Sequence, residues 1–262
     1  RAPWLRAHTG MSDRLIDLEG ATNFRDLGGY ANDSGQTTRW GRVYRSDHLT
    51  ELVAADWQRV SQLGIGVVAD LRTDRERDFW PSDWPGHLSV RFLMRDYEMD
   101  LRQLDEVGYH ILAYQQVELF RQFFRTLAEP EAPAMLVHCT AGQDRTGFAC
   151  ALLLTLLEVP FETIIEDYSL SHHLRRDVFI DPNRAEEMIT FYGMDSTVEE
   201  MVARQHLSIE ERRAQAEERM TGALEHIAGE HGSLMDFIQG ELHVSDALVE
   251  ELREQLLADE HA

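Results

Sequence analysis

Between residues 42 and 157 short, nearly continuous apolar runs alternate with longer stretches in which apolar residues recur every three or four positions. The runs RVYRSD (42–47), IGVVADLR (65–72), LSVRFLM (88–94) and AMLVHC (134–139) are rich in valine, isoleucine and leucine and bounded by turn residues, which predicts strands. Between the first two, Leu52, Val53, Trp57, Val60 and Leu63 share one helical face and Gly64 supplies the stop. Between the last two, Ile111, Tyr114, Val117, Phe120, Phe124 and Leu127 predict a helix over 109–127. Residues 149–157 are apolar on every side, as a buried helix requires. Strands alternating with helices give an α/β fold, a mostly parallel central sheet flanked by helices.

Beyond Glu158 the strand signal ends and helix starts follow one another. Asp181-Pro182 reads as N-cap and first turn, and Ser196-x-x-Glu199 and Ser208-x-x-Glu211 have the capping-box spacing. SLMDFIQGEL and SDALVEELREQLL predict two closing helices with serine N-caps. A chain of 262 residues buries about three quarters of its unfolded surface. The expectation is one domain over 11–262, with residues 1–10, ahead of Met11-Ser12-Asp13, an extension or expression remnant.

Composition narrows the chemistry. With 43 % hydrophobic residues and five tryptophans the chain reads as globular, and no stretch reaches the roughly 18 uncharged apolar residues of a membrane span. A formal charge of −22 repels nucleic acid and anionic membrane surfaces. All 25 basic residues are arginine, which excludes lysine Schiff bases and lysine-bearing nucleotide loops. Two cysteines, Cys139 and Cys150, form neither a disulfide framework nor a metal knuckle, a pattern of reduced, cytoplasmic proteins; export without a signal peptide is the alternative. His172 and His173 are adjacent, so on a helix they diverge by about 100 degrees, and no carboxylate recurs at ligand spacing. They are expected on a solvated helix surface, with no metal and no cofactor.

The chemistry concentrates in LVHCTAGQDRTG (136–147). Cys139 follows a strand and precedes a helix beginning near Arg145, so the free N–H groups of Thr140 to Arg145 and the positive helix end aim at one point, where a tetrahedral dianion belongs. The same field lowers a thiol, making Cys139 a nucleophile. Arg145 offers a planar fork to two equatorial phosphoryl oxygens, Gly142 lets the loop curl, and Thr146 is placed to bond the thiolate. His138 points away from the substrate side and takes an orienting role. Cys150, in the buried helix, is core packing.

HCTAGQDRTG (138–147) resembles the HCxAGKDRTG loop of the atypical bacterial tyrosine and phosphoinositide phosphatases, within the cysteine-dependent phosphatase superfamily. NFRDLGGY (23–30), GRVYRSDHL (41–49), VADLRTDRE (68–76), EDYSLS (166–171) and LREQLL (252–257) are similar to further segments of that family, so the resemblance spans residues 15–257. It implies the cysteine-phosphatase fold with a helical lid over roughly 160–220, and a substrate site of Thr140, Ala141, Gly142, Gln143 and Thr146 with Asp70 and Arg72 beside it. Arg25, Asp26 and Tyr30 of NFRDLGGY, and Arg45, are either turn structure or a wall of the site. Gln143 stands where the family usually has a lysine associated with anionic phosphoinositide heads, which points away from lipid substrates.

A leaving alkoxide or phenoxide needs a general acid. Asp144 is the position the resemblance implies; Asp96 lies where related enzymes carry a mobile acid loop; Asp70 braces the loop from the neighbouring strand end. These residues point to a metal-independent phosphatase working through phosphocysteine on phosphotyrosine, with phosphoserine, phosphothreonine and phosphoinositides as extensions, and with phosphate or sulfate binding in the loop. The alternatives are a catalytically weak module binding phosphoprotein partners and, last, a thiol oxidoreductase, for which Cys150 is a poor resolving partner.

Overall fold

A computed structural model of the chain describes residues 11–99, 108–174, 182–194, 196–203 and 208–259. Its strands are β1 (Arg25–Asp26), β2 (Gln36–Thr38), β3 (Val43–Ser46), β4 (Ile65–Asp70), β5 (Arg91–Met94), β6 (Ala134–His138) and β7 (Leu257–Asp259). Five form one sheet in the order β1-β3-β6-β4-β5, in which β3, β6, β4 and β5 run parallel and β1 pairs antiparallel with β3 at the edge. Every residue of the central strand β6 is buried, because helices cover both faces of a parallel sheet. Alternate side chains divide between two cores: Val67, Ala69, Met135 and Val137 join the larger, Val68, Ala134 and Leu136 the smaller.

The helices are α1 (Met11–Arg14), α2 (Ala54–Val60), α3 (Asp74–Phe79), α4 (Ile111–Gln115), α5 (Val117–Leu127), α6 (Asp144–Leu156), α7 (Phe161–Leu174), α8 (Pro182–Tyr192), α9 (Val198–Ala203), α10 (Ile209–His231), α11 (Leu234–Gly240) and α12 (Asp246–Leu256). Helix α6 has no polar stripe because the sheet lies on one side and α4, α7 and α11 pack around the rest. Gly64 ends the α2 segment at φ +67°, as its position predicts. Ser208, Ser233 and Ser245 each cap the helix that follows, accepting from Glu211, Asp236 and Leu248 N–H.

Three expectations need correction, and a fourth falls on a residue outside those described. The helix over 109–127 is two helices, broken at Gln116, where φ −102° and ψ 1° leave the α basin. Strands β1, β2 and β7 carry no apolar run; β2 and β7 exist only because Gln36–Thr38 meets Leu257–Asp259 in antiparallel register, which ends α12 one residue before Leu257. The box at Ser196/Glu199 forms one residue later, as Thr197 N–H to Glu200 Oε2 at 2.9 Å and Glu200 N–H to Thr197 Oγ1 at 3.1 Å. Asp181 lies outside the described residues.

Within 160–220 the helices differ in role. Ile164 and Tyr168 of α7, and Ala216 and Met220 of α10, belong to the main core. Helix α8 instead lays Phe191 against Phe79 and Trp80, with ring centroids 4.9 and 5.1 Å apart. No helix among the described residues is long and apolar enough to cross a membrane.

Candidate active site

Cys139 lies where β6 ends, 2 % exposed, and the chain from Thr140 to Gln143 crosses the carboxyl edge of the sheet into α6. The loop's carbonyls are drawn outward. His48 N–H donates to Thr140 O at 3.0 Å, Asn23 Nδ2 to Ala141 O and Gly142 O at 3.2 and 3.0 Å, and Arg45 Nη2 to Gly142 O at 2.9 Å. In a trans peptide the N–H points opposite to the preceding carbonyl, so these bonds turn the N–H groups of Ala141, Gly142 and Gln143 inward. Among the described residues none of the backbone N–H groups of Thr140 to Arg145 meets an acceptor. An inward ring of unsatisfied donors at a helix start is a cradle for an oxyanion.

Gly142 curls the loop through the left-handed region and also makes room behind it. At φ +64° a Cβ would stand 2.3 Å from Ser46 O and 2.5 Å from Asp47 N, so the missing side chain makes room for the end of β3.

Arg145 is 6 % exposed and held by Glu76: Nη1 donates to Oε2 and Nη2 to Oε1, both at 2.7 Å. Nη1 also reaches Leu71 O at 3.1 Å and the Tyr97 hydroxyl at 2.8 Å. The outer fork is therefore engaged by protein. Among the described residues nothing accepts from Nε, and Nη2 has one further, long contact, to Thr140 Oγ1 at 3.4 Å. The Nε–Nη2 edge is what remains for a phosphoryl group. Glu76 is fully buried; burial alone would raise its carboxyl, but the Arg145 charge and bonds from Arg145, Thr140 and Thr73 hold it far below the usual carboxylate range. Tyr192 of α8 donates to the same Oε1 at 2.7 Å.

A second buried ion cluster supports the loop from behind. Asp167 accepts from Arg25 Nε at 3.0 Å, from Arg45 Nη1 in a short contact, and from the Tyr30 hydroxyl at 2.9 Å. Burial works against its charge, and the two guanidiniums outweigh that effect and hold it ionised. Arg25 and Arg45, both 0 % exposed, thus act through Asp167 and Gly142 as braces. Asp26 accepts from Gly28 and Gly41 N–H at 2.8 and 2.7 Å, which makes NFRDLGGY a turn as well as a support.

Asp70 and Arg72 pair with each other, Nε to Oδ1 at 2.9 Å and Nη2 to Oδ2 at 2.7 Å, and Arg72 also bonds Trp80 O at 2.6 Å. Their polar atoms are taken up within this corner. His138 lies with Nε2 3.7 Å from Asp70 Oδ2 and donates from Nδ1 to Cys139 O at 3.2 Å. Burial pushes its imidazole down to about 4 against the pull of Asp70, so the ring is neutral near pH 7. Asp96 is exposed and accepts from Asp74 N–H at 3.1 Å at the start of α3. Its neighbour Tyr97 is the residue of that strand end that touches Arg145.

Asp144, at the first turn of α6, directs Oδ1 to the hydroxyls of Tyr109, in a short contact, and of Tyr168, at 3.2 Å. Gln143, 2 % exposed, donates from Nε2 to the Tyr168 hydroxyl at 3.2 Å and meets His172 Nε2 at 2.8 Å. His172 is therefore half-buried and in contact with the loop, which corrects its expected place on a solvated surface. Thr146 is 0 % exposed and its hydroxyl has no hydrogen-bond partner among the described residues, so it does not bond the Cys139 sulfur here. Cys150 is a free buried thiol, pushed up to about 11 by burial.

Sequence reading passed over Asn23, Glu76, Tyr97, Tyr109, Asp167, Tyr168 and Tyr192. Asn23, Glu76, Asp167 and Tyr168 lie in segments that carry the family resemblance, though no role was drawn from them there, and Glu76 had a signal of its own: Thr73-x-x-Glu76 is a capping box, formed with Thr73 N–H to Oε2 at 2.9 Å and Glu76 N–H to Thr73 Oγ1 at 3.1 Å.

A sequence profile described as the tyrosine phosphatase family matches residues 16–258. A Cupriavidus necator protein provisionally named a tyrosine-protein phosphatase is 34 % identical over 188 residues, 64 % of this chain and 66 % of that one. The tyrosine-protein phosphatase of Nostoc commune is 34 % identical over 141 residues, 49 % of this chain and 48 % of its own. The triple specificity protein phosphatase PtpB of Mycobacterium tuberculosis is 30 % identical over 196 residues, 60 % of this chain and 68 % of its own. The chain thus spans less than two thirds of the length of the first two.

Proposed function

The chain belongs to the tyrosine phosphatase family, and from that membership we propose that it hydrolyses phosphomonoesters through a phosphocysteine intermediate, without a metal, with phosphotyrosine in proteins as the substrate class. The observation that carries the reading is the orientation of the loop: carbonyls bonded outward to Asn23, Arg45 and His48, and N–H groups around Cys139 that meet no acceptor among the described residues.

The Cys139 thiolate attacks phosphorus in line with the ester oxygen. The S–P bond forms as the P–O bond breaks, and the departing oxygen takes a proton from Asp144. The loop amides and the Nε–Nη2 edge of Arg145 hold the equatorial oxygens as charge shifts onto them. Water then attacks phosphorus, Asp144 takes its proton, the S–P bond breaks, and inorganic phosphate and the thiolate are released. Gln143 turns its amide into α7, toward Tyr168 and His172, so it presents no donor to a lipid head group; this favours a phosphoprotein over a phosphoinositide. Helix α8 is the part of the expected lid that we assign to covering the site, since Tyr192 bonds Glu76 and Phe191 packs on Trp80.

The test is phosphate release from p-nitrophenyl phosphate in excess EDTA, for wild type and Cys139→Ser side by side. Activity that survives EDTA and disappears in the variant is expected. A folded wild type that binds phosphate without turnover would instead establish a phosphate-recognition module.

A further inference from the structure

We propose that Tyr109 and Tyr168 are positioning residues for Asp144: they hold one of its carboxylate oxygens so that the other faces the leaving group. The inference rests on the phosphatase reading above and names a part of the machinery that the loop sequence does not contain.

Both hydroxyls converge on a single atom, Asp144 Oδ1, and lie 3.0 Å from each other. No described residue donates to Oδ2. A carboxylate oxygen accepts, so the Tyr109 hydrogen goes to Asp144 Oδ1, and Tyr168, which accepts from Gln143 Nε2, has its own hydrogen within reach of the same Oδ1 at 3.2 Å and of the Tyr109 oxygen at 3.0 Å. The partners come from three separate elements, the turn before α4, the middle of α7 and the N-cap of α6.

Packing fixes the two rings. A Cβ on Gly147 would stand 2.6 Å from Tyr168 Cδ2, so glycine at this position lets α7 approach α6 closely enough for the hydroxyl to arrive. The Tyr109 ring lies 5.6 Å from that of Phe148. Burial, and then the Asp144 charge, push both phenols above their ordinary value, so they remain neutral donors throughout the working range.

A carboxylate in the first turn of a helix can otherwise turn about its last bond and present either oxygen. With Oδ1 held by the tyrosine hydroxyls, Oδ2 carries the proton: it delivers it to the ester oxygen in the first step and recovers one from water in the second. Tyr109 and Tyr168 touch neither substrate nor sulfur in this scheme and act only through Asp144.

The test uses Tyr109→Phe and Tyr168→Phe, which keep the rings, each alone and each combined with Asp144→Asn. Turnover is measured on p-nitrophenyl phosphate, whose leaving group departs with little need of a proton, and on phenyl phosphate, whose phenoxide needs one. Each tyrosine variant should lose about tenfold or more on phenyl phosphate and under about threefold on p-nitrophenyl phosphate, with no further loss in the Asp144→Asn background. Equal losses on both esters, losses that add to Asp144→Asn, or no loss at all would overturn the assignment while leaving the phosphatase reading intact. A wild type that turns over neither ester removes the phosphatase reading, and the assignment with it. Each variant is shown to be folded by circular dichroism before it is scored, and the role of each tyrosine stands or falls with its own variant.

Discussion

Glu76 and Arg145 face each other through two parallel N–H···O bonds of 2.7 Å, one side chain from the first turn of the helix after β4 and the other from the helix after β6. The pair sets the plane of the guanidinium and decides which edge of it is left open, the edge proposed to take the phosphoryl group. Glu76→Ala leaves a buried arginine without its counter-ion, a loss of about 3–5 kcal/mol in stability. Turnover should also fall by about two orders of magnitude, because the guanidinium is no longer aimed. Urea unfolding and kcat/KM on p-nitrophenyl phosphate measure the two effects, and an enzyme as active as wild type would refute the role given to Glu76.

Gly142→Ala introduces a methyl group 2.3 Å from Ser46 O at a backbone φ of +64°. The loop must move away from β3, losing the bonds from Arg45 and Asn23 that turn its carbonyls outward. The left-handed backbone alone costs about 1 kcal/mol or more. The expected outcome is a lowered Tm and phosphate affinity, by calorimetry, reduced at least about tenfold, the equivalent of about 1.4 kcal/mol.

Asp167→Asn removes the charge shared by Arg25 and Arg45, which are both fully buried. Two like charges then face each other with one neutral partner, which should destabilise the fold by about 3–5 kcal/mol. Because Arg45 also holds Gly142 O, KM should rise in whatever fraction remains folded.

The buried histidine makes stability depend on pH in a defined direction. His138 is pushed down to about 4 in the folded chain, against about 6.5 when unfolded. Between these values the unfolded chain binds a proton that the folded chain refuses, so stability falls as the pH is lowered through this window, by up to about 1.4 kcal/mol per pH unit from this group. Glu76 and Asp167, both held below their ordinary values, act in the same sense further down: their stabilisation is present above the unfolded carboxylate range and is lost as the pH falls below it. Urea midpoints for wild type and His138→Asn across pH 4 to 7 should show a shallower decline in the variant. Parallel curves would show that His138 titrates normally.

What could be read along the chain was what neighbouring residues decide among themselves. Apolar runs alternating with amphipathic stretches are local patterns, and they yielded the four parallel strands and the helices between them. Serines three residues before an acidic or apolar amide yielded three helix starts. Cys139, Gly142, Asp144 and Arg145 lie within seven consecutive residues, so one strand, one turn and one helix start bring them together.

Only the tertiary structure decided what completes that loop. Glu76 meets Arg145 across 69 positions, Asn23 meets Gly142 across 119, and Arg25 meets Asp167 across 142. A strand of two or three polar residues, such as β2, forms because its partner β7 supplies the hydrogen bonds, and nothing in its own composition announces it. The physical reason is common to all of these: a buried charge or an unpaired backbone group is stable only when a partner closes on it, and which partner does so is set by how sheet and helices pack, at distances along the chain that periodicity and spacing do not reach.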